Sequence, residues 1–126
     1  MSRLLVVDDN PFYRSRLSEL FASEGHEVET AADAALAMSA AHRFRPDILV
    51  VDRMLRDEQD GFDVAESLRS EAPGMKTIVI TGYPSAAVAE KARDLGVFAL
   101  FEKPFDPEEL CETVRRAADP TRELKP

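Results

Sequence analysis

Leu4-Leu5-Val6-Val7-Asp8-Asp9-Asn10-Pro11 decides how the rest of the chain is read. Four uninterrupted aliphatic residues read as a strand covered on both faces, which is the habit of parallel sheets. Two acids stand at its carboxyl end. Asn10 then suits a helix N-cap and Pro11 the first helical turn, so the strand feeds a helix at once.

The same grammar recurs outward from this segment. Ile48-Leu49-Val50-Val51 runs into Asp52, Ile78-Val79-Ile80 into Thr81, and Phe98-Ala99-Leu100-Phe101 into a strand that ends at Lys103. Glu27 to Ala31 alternates, as a half-buried edge strand does. Between the strands, Tyr13, Leu17, Leu20 and Phe21 recur at helical spacing before Gly25. Asp33 begins an Ala-rich helix through Leu36, Ala40 and Phe44 that Pro46 stops. Val64, Ala65 and Leu68 follow the charged loop Arg53 to Asp60. Pro84 starts a helix carrying Val88, Ala92 and Leu95, and Gly96 ends it. Asp106-Pro107-Glu108-Glu109 resembles a capping box ahead of Leu110, Val114 and Ala117. Five strands alternating with five helices predict an α/β domain with an open, mostly parallel sheet and helices on both faces. The domain is expected over residues 1–119, with 120–126 as a flexible tail or truncated linker.

Composition narrows the function classes. A net charge of −8 over 126 residues, with no clustered Lys/Arg stripe, argues against a nucleic-acid surface. The single Cys111 excludes an internal disulfide, suits a reducing compartment, and reads as a packed thiol beside Leu110 and Val114. No signal peptide precedes the first apolar run, and no run approaches membrane-spanning length. A soluble cytoplasmic protein without membrane contact is expected.

Ligands bind at the carboxyl edge of a parallel sheet, so Asp8, Asp9, Asp52, Thr81 and Lys103 are expected at one rim. Clustered carboxylates repel unless a cation neutralises them, and hard oxygens select Mg²⁺ or Mn²⁺. A carboxylate can be a nucleophile toward phosphorus, while a lysine and a hydroxyl hold the equatorial oxygens. Each residue alone has an ordinary alternative. The acids could complement a helix dipole, Asp52 could form a turn, Thr81 could cap a helix, and Lys103 could be solvated. The five together favour the site. Gly61 and Gly82 read as simple backbone permissiveness.

Asp8-Asp9, Asp52, Thr81-Gly82 and Lys103-Pro104-Phe105 resemble the site of the response-regulator receiver family of two-component signalling, over essentially the whole chain. The resemblance implies a flavodoxin-like doubly wound five-stranded parallel sheet of order 2-1-3-4-5. It implies Asp52 as phospho-acceptor, and Asp9, Asp8, Asp52 and the Met54 backbone carbonyl as Mg²⁺ ligands. Thr81 becomes the switch hydroxyl and Lys103 its partner on the phosphoryl group, with a cis Lys103-Pro104 bond. The implied donor is a histidine kinase or histidine phosphotransfer protein. The implied output surface, toward another partner or a homodimer, is helix four, strand five and helix five, including Glu90, Lys91, Arg93, Arg115 and Arg116. Such a protein is a switch rather than an enzyme, beyond self-catalysed phosphoryl transfer and slow autodephosphorylation. A phosphorylation-independent interaction module remains the alternative. A haloacid-dehalogenase-type phosphatase would need an acid where Met54 stands, and a flavodoxin-like FMN protein would want a phosphate loop in place of Asp8-Asp9.

The chain also departs from the family. Leu100 occupies a position where many receivers carry Tyr or Phe, and reads as a packing residue; strand alternation sets Phe98 and Phe101 apart from it. The loop after Asp52 lacks the common Pro at Arg56, and Asp60-Gly61 comes one residue late, which reads as a tolerated surface insertion, with a partner-specific rim as the alternative. Met54 and Tyr83, two residues beyond Asp52 and Thr81, flank the implied path of attacking water. Phe12 stands outside the helical stripe and is either a docking aromatic or packed under the loop.

Overall fold

The computed structural model describes residues 2–119; the expected tail, 120–126, lies outside the described residues. Strands β1 (Arg3–Val7), β2 (Glu27–Ala31), β3 (Ile48–Asp52), β4 (Lys76–Thr81) and β5 (Ala99–Glu102) pair in parallel in the order β2-β1-β3-β4-β5. Helices α1 (Pro11–Ser23), α2 (Ala34–Phe44), α3 (Gly61–Glu71), α4 (Ala86–Asp94) and α5 (Pro107–Ala118) connect them.

Strand alternation splits the core in two. Leu5, Val7, Leu49, Val51 and Val79 meet Ala37 and Ala41 of α2, Phe62 and Leu68 of α3, and Val88 and Ala92 of α4. Leu4, Val6, Ile48, Val50, Ile78 and Ile80 meet Leu17 and Phe21 of α1 and Leu110 and Val114 of α5. Both faces of the central strands are therefore dry, which is why their sequences carry no polar alternation. Leu100 packs on the first cluster and Phe101 on the second, as alternation requires; Phe98 precedes β5, so the strand's alternation does not govern it, and it also packs on the second. Cys111 is buried, and burial pushes its thiol up, as a packed rather than reactive cysteine.

Most helix starts follow the sequence signals. Asn10 accepts from Phe12 N with Pro11 in the first turn, Asp33 accepts from Leu36 N, and Asp106 accepts from Glu108 N. Gly25, at φ 91, takes the left-handed turn that carries the chain from α1 into β2. Two expected boundaries move. Helix α4 begins at Ala86 rather than Pro84, because Ser85 caps it by accepting from Val88 N. Strand β5 ends at Glu102, one residue before Lys103.

The loop after β3 is more ordered than a tolerated insertion suggests. Met54 and Asp60 face each other in an antiparallel bridge, Leu55 N donates to Gln59 O, and Arg56–Glu58 form a short 3-10 turn. Asp57 and Glu58 take left-handed φ of 60 and 57, a strain of about 1–3 kcal/mol each. Three anchors offset it: Leu55 is buried in the core, Gln59 Oε1 accepts from Ala34 N of α2, and Asp60 caps α3 through Phe62 N.

Candidate functional site

Four parallel strands deliver the selected residues to one rim. Asp8 follows β1 and is 2% exposed, fixed by its N–H to Ala31 O at 3.1 Å. Its Oδ1 accepts from Asn10 N at 2.9 Å, and its carbonyl accepts from Arg14 at 2.7 Å. Asp52 ends β3, and its Oδ1 accepts from Met54 N at 3.4 Å. Lys103 Nζ lies 3.2 Å from both Asp8 Oδ2 and Asp52 Oδ2. Half-buried Asp9 completes a group with Asp8 and Asp52 in which one oxygen of each lies within 4.8 Å of the others. Thr81 ends β4, one residue past the Ile80 that registers with Asp52. It is 1% exposed, and its Oγ1 accepts from Tyr83 N at 3.0 Å. Lys103 N donates to Thr81 O at 2.8 Å, and the Lys103-Pro104 bond is cis. All five side chains thus leave the carboxyl edge of the sheet. Asp8, Asp52 and Lys103 are in direct contact.

Burial pushes the Asp52 carboxyl above its usual range, and the Asp8 charge adds to this, against the pull of Lys103. Burial draws the Lys103 ammonium down, but Asp8 and Asp52 outweigh it and hold it above its ordinary value, so it stays charged. One ammonium faces three carboxylates, which leaves the group net negative. The donor set is all hard oxygen with residual negative charge, and this fits a small divalent cation such as Mg²⁺ or Mn²⁺.

Three features of the rim escaped the sequence reading. The Tyr13 ring lies under Lys103, with Nζ 4.0 Å from its centroid. The available signal was spacing, since Tyr13 stands one helical turn beyond Asp9. Gly61 is glycine for space rather than for permissiveness. A Cβ there would sit 2.2 Å from the Asp52 carbonyl oxygen and 2.9 Å from Arg53 Cα. Gly82, by contrast, has nothing within 4 Å of that position. Arg53 Nε is buried with no hydrogen-bond partner among the described residues. Arg115, expected on the output face, also pairs with Glu24 at the end of α1 and with Glu112, which ties α5 to α1.

The chain matches the family model of the response regulator receiver domain over residues 4–115. It is 37% identical over 89% of its length to the probable transcriptional regulatory protein TcrX of Mycobacterium tuberculosis, and spans 47% of that protein. It is 38% identical over 90% of its length to the photosynthetic apparatus regulatory protein RegA of Cereibacter sphaeroides, spanning 60% of it. It is 27% identical over 90% of its length to sporulation initiation phosphotransferase F of Bacillus subtilis, spanning 91% of that protein. Among solved structures, a CheY-like receiver domain protein from Methanospirillum hungatei superposes with a TM-score of 0.89 at 28% identity, covering 99% of both chains. Among the described residues, no helix is long and apolar enough to cross a membrane. The fold, the acidic rim and the family match agree, and the chain belongs to the response regulator receiver domains of two-component signalling.

Proposed function

We propose that the domain accepts a phosphoryl group on Asp52 from a phosphohistidine of a histidine kinase or phosphotransfer protein, and so switches a protein-binding surface. The observation that carries this reading is the shared contact of Lys103 with Asp8 and Asp52, 3.2 Å each, inside a three-carboxylate group. An Asp52 oxygen forms the new O–P bond as the donor's N–P bond breaks, and the N–P electron pair stays on the departing imidazole nitrogen. Asp8, Asp9, Asp52 and the Met54 carbonyl would hold a Mg²⁺ ion, which would supply the positive charge that offsets the acidic pocket toward an anionic phosphoryl group. Lys103 balances a second oxygen, and the Thr81 hydroxyl, whose oxygen accepts from Tyr83 N, donates its proton to a third. The added charge and acceptor oxygens then bias the domain between two surface arrangements. Leu100 packs as an aliphatic residue, so its movement changes packing without offering a polar tip.

Donor docking is supported beside the rim. Phe12 is 60% exposed and lines a groove with Tyr13, Arg16, Leu17, Pro104 and Phe105. The deciding experiment is incubation with acetyl phosphate and Mg²⁺ followed by intact-mass measurement. Wild type gains one phosphoryl group and Asp52→Asn gains none; equal uptake by both sinks the assignment.

Exposed Met54 and Tyr83 stand two residues beyond Asp52 and Thr81 and shield the acyl phosphate from water. Met54→Asn and Tyr83→Ala are expected to release phosphate several-fold faster, followed as the decay of the phosphorylated mass. Decay at the wild-type rate in both variants removes the shield.

A further inference from the structure

We propose that Tyr13 is a positioning residue for Lys103, its ring face seating the ammonium at the rim both before and after a divalent cation takes the carboxylates. The proposal rests on the preceding reading that Lys103 grips the phosphoryl group. Lys103 Nζ sits against three groups of the rim: Asp8 Oδ2, Asp52 Oδ2 and the Tyr13 ring, whose centroid is 4.0 Å away. The lysine side chain is only 17% exposed, so little water competes for the ring face. The ring itself is held. The Phe105 ring lies 6.3 Å from it at 44°, and the Phe12 ring meets it edge-on at 5.7 Å.

The three groups differ in one respect that decides their roles. A divalent cation competes for both carboxylates, and when it binds, the ammonium loses much of its hold on Asp8 and Asp52. A four-carbon stem freed in this way would turn to solvent and lose rotamer order. The Tyr13 face is neutral, offers nothing to a hard cation, and keeps its attraction for the ammonium. Lys103 then waits beside the place where phosphoryl oxygens arrive.

The test compares Tyr13→Phe, which keeps the ring face, with Tyr13→Leu, which keeps only apolar bulk. The first readout is the Lys103 ε-methylene proton shift, assigned by its loss in Lys103→Met. Ring current should move it upfield in wild type and Tyr13→Phe, at saturating Mg²⁺ as well as without it, and the displacement should vanish in Tyr13→Leu. The second readout is the rate of phosphoryl uptake from acetyl phosphate at saturating Mg²⁺. Tyr13→Phe should fall within twofold of wild type and Tyr13→Leu about tenfold below it. Tyr13→Met replaces the leucine variant if the latter fails to fold. The proposal is overturned if the methylene shift is ordinary in wild type with Mg²⁺, if Tyr13→Leu matches wild type in rate, or if Tyr13→Phe is as slow as Tyr13→Leu. Should wild type take up no phosphoryl group, the preceding functional reading fails, and the methylene shift alone still decides the seat of Lys103.

Discussion

Replacing Lys103 with methionine is expected to lower the stability of the cation-free domain by about 3 kcal/mol, and added Mg²⁺ should return most of it. The lysine ammonium is ion-paired with the Asp8 and Asp52 carboxylates, and both are nearly buried. Removing it strands two like charges in a low-dielectric edge that Asp9 makes more negative. A buried pair that loses one partner suffers far more than a surface pair, because the survivor stays desolvated. A divalent cation can replace the missing charge, so the variant should gain more stability from Mg²⁺ than wild type does. Urea unfolding of both proteins, with and without Mg²⁺, gives the comparison. If the variant equals wild type in the absence of cation, the rim is wetter than its burial indicates.

Gly61→Ala should destabilise the domain by about 3 kcal/mol and slow phosphoryl uptake at Asp52. The new Cβ would meet the Asp52 carbonyl oxygen at 2.2 Å, and the Asp52 carbonyl carbon and Arg53 Cα at 2.9 Å. These are backbone atoms, so no rotamer change relieves the contact. The first turn of α3 is also tied there, since Gly61 N donates to Arg53 O at 2.6 Å. Relief therefore requires moving the backbone that carries Asp52. Gly82→Ala is the matched control: its Cβ meets open space, and it should stay within about 0.5 kcal/mol of wild type. Thermal unfolding and intact-mass kinetics of the pair separate crowding at one glycine from glycine loss in general. Equal melting of the two variants would show that the close approach relaxes freely.

Much of the fold was legible because its strongest signals are local. Uninterrupted runs such as Ile48 to Val51 announce strands dry on both faces, and Asn10-Pro11 announces a helix start. The rim was legible because strand ends and chemistry coincide at Asp8, Asp52 and Thr81. What stayed hidden depends on which elements meet. The tightness at Gly61 exists only because α3 begins against the end of β3, and glycine composition alone cannot report that. Tyr13 read as one more apolar stripe residue until β5 brought Lys103 over its ring. The Arg115–Glu24 pair was equally hidden, because it exists only where α1 and α5 lie side by side on one face of the sheet. At α4 the expected start at Pro84 gives way to Ala86, because the Ser85 hydroxyl accepts from Val88 N, a cap the sequence reading did not weigh.

The strapped excursion between β3 and α3 has a practical corollary. Its apex, Arg56 to Glu58, faces solvent, while its two stems are pinned by Leu55 below and Gln59 alongside. A chemical label attached at that apex would ride on the same segment as the acidic rim without entering it. The extra residue in this loop thus offers a natural handle from which to watch the acidic rim.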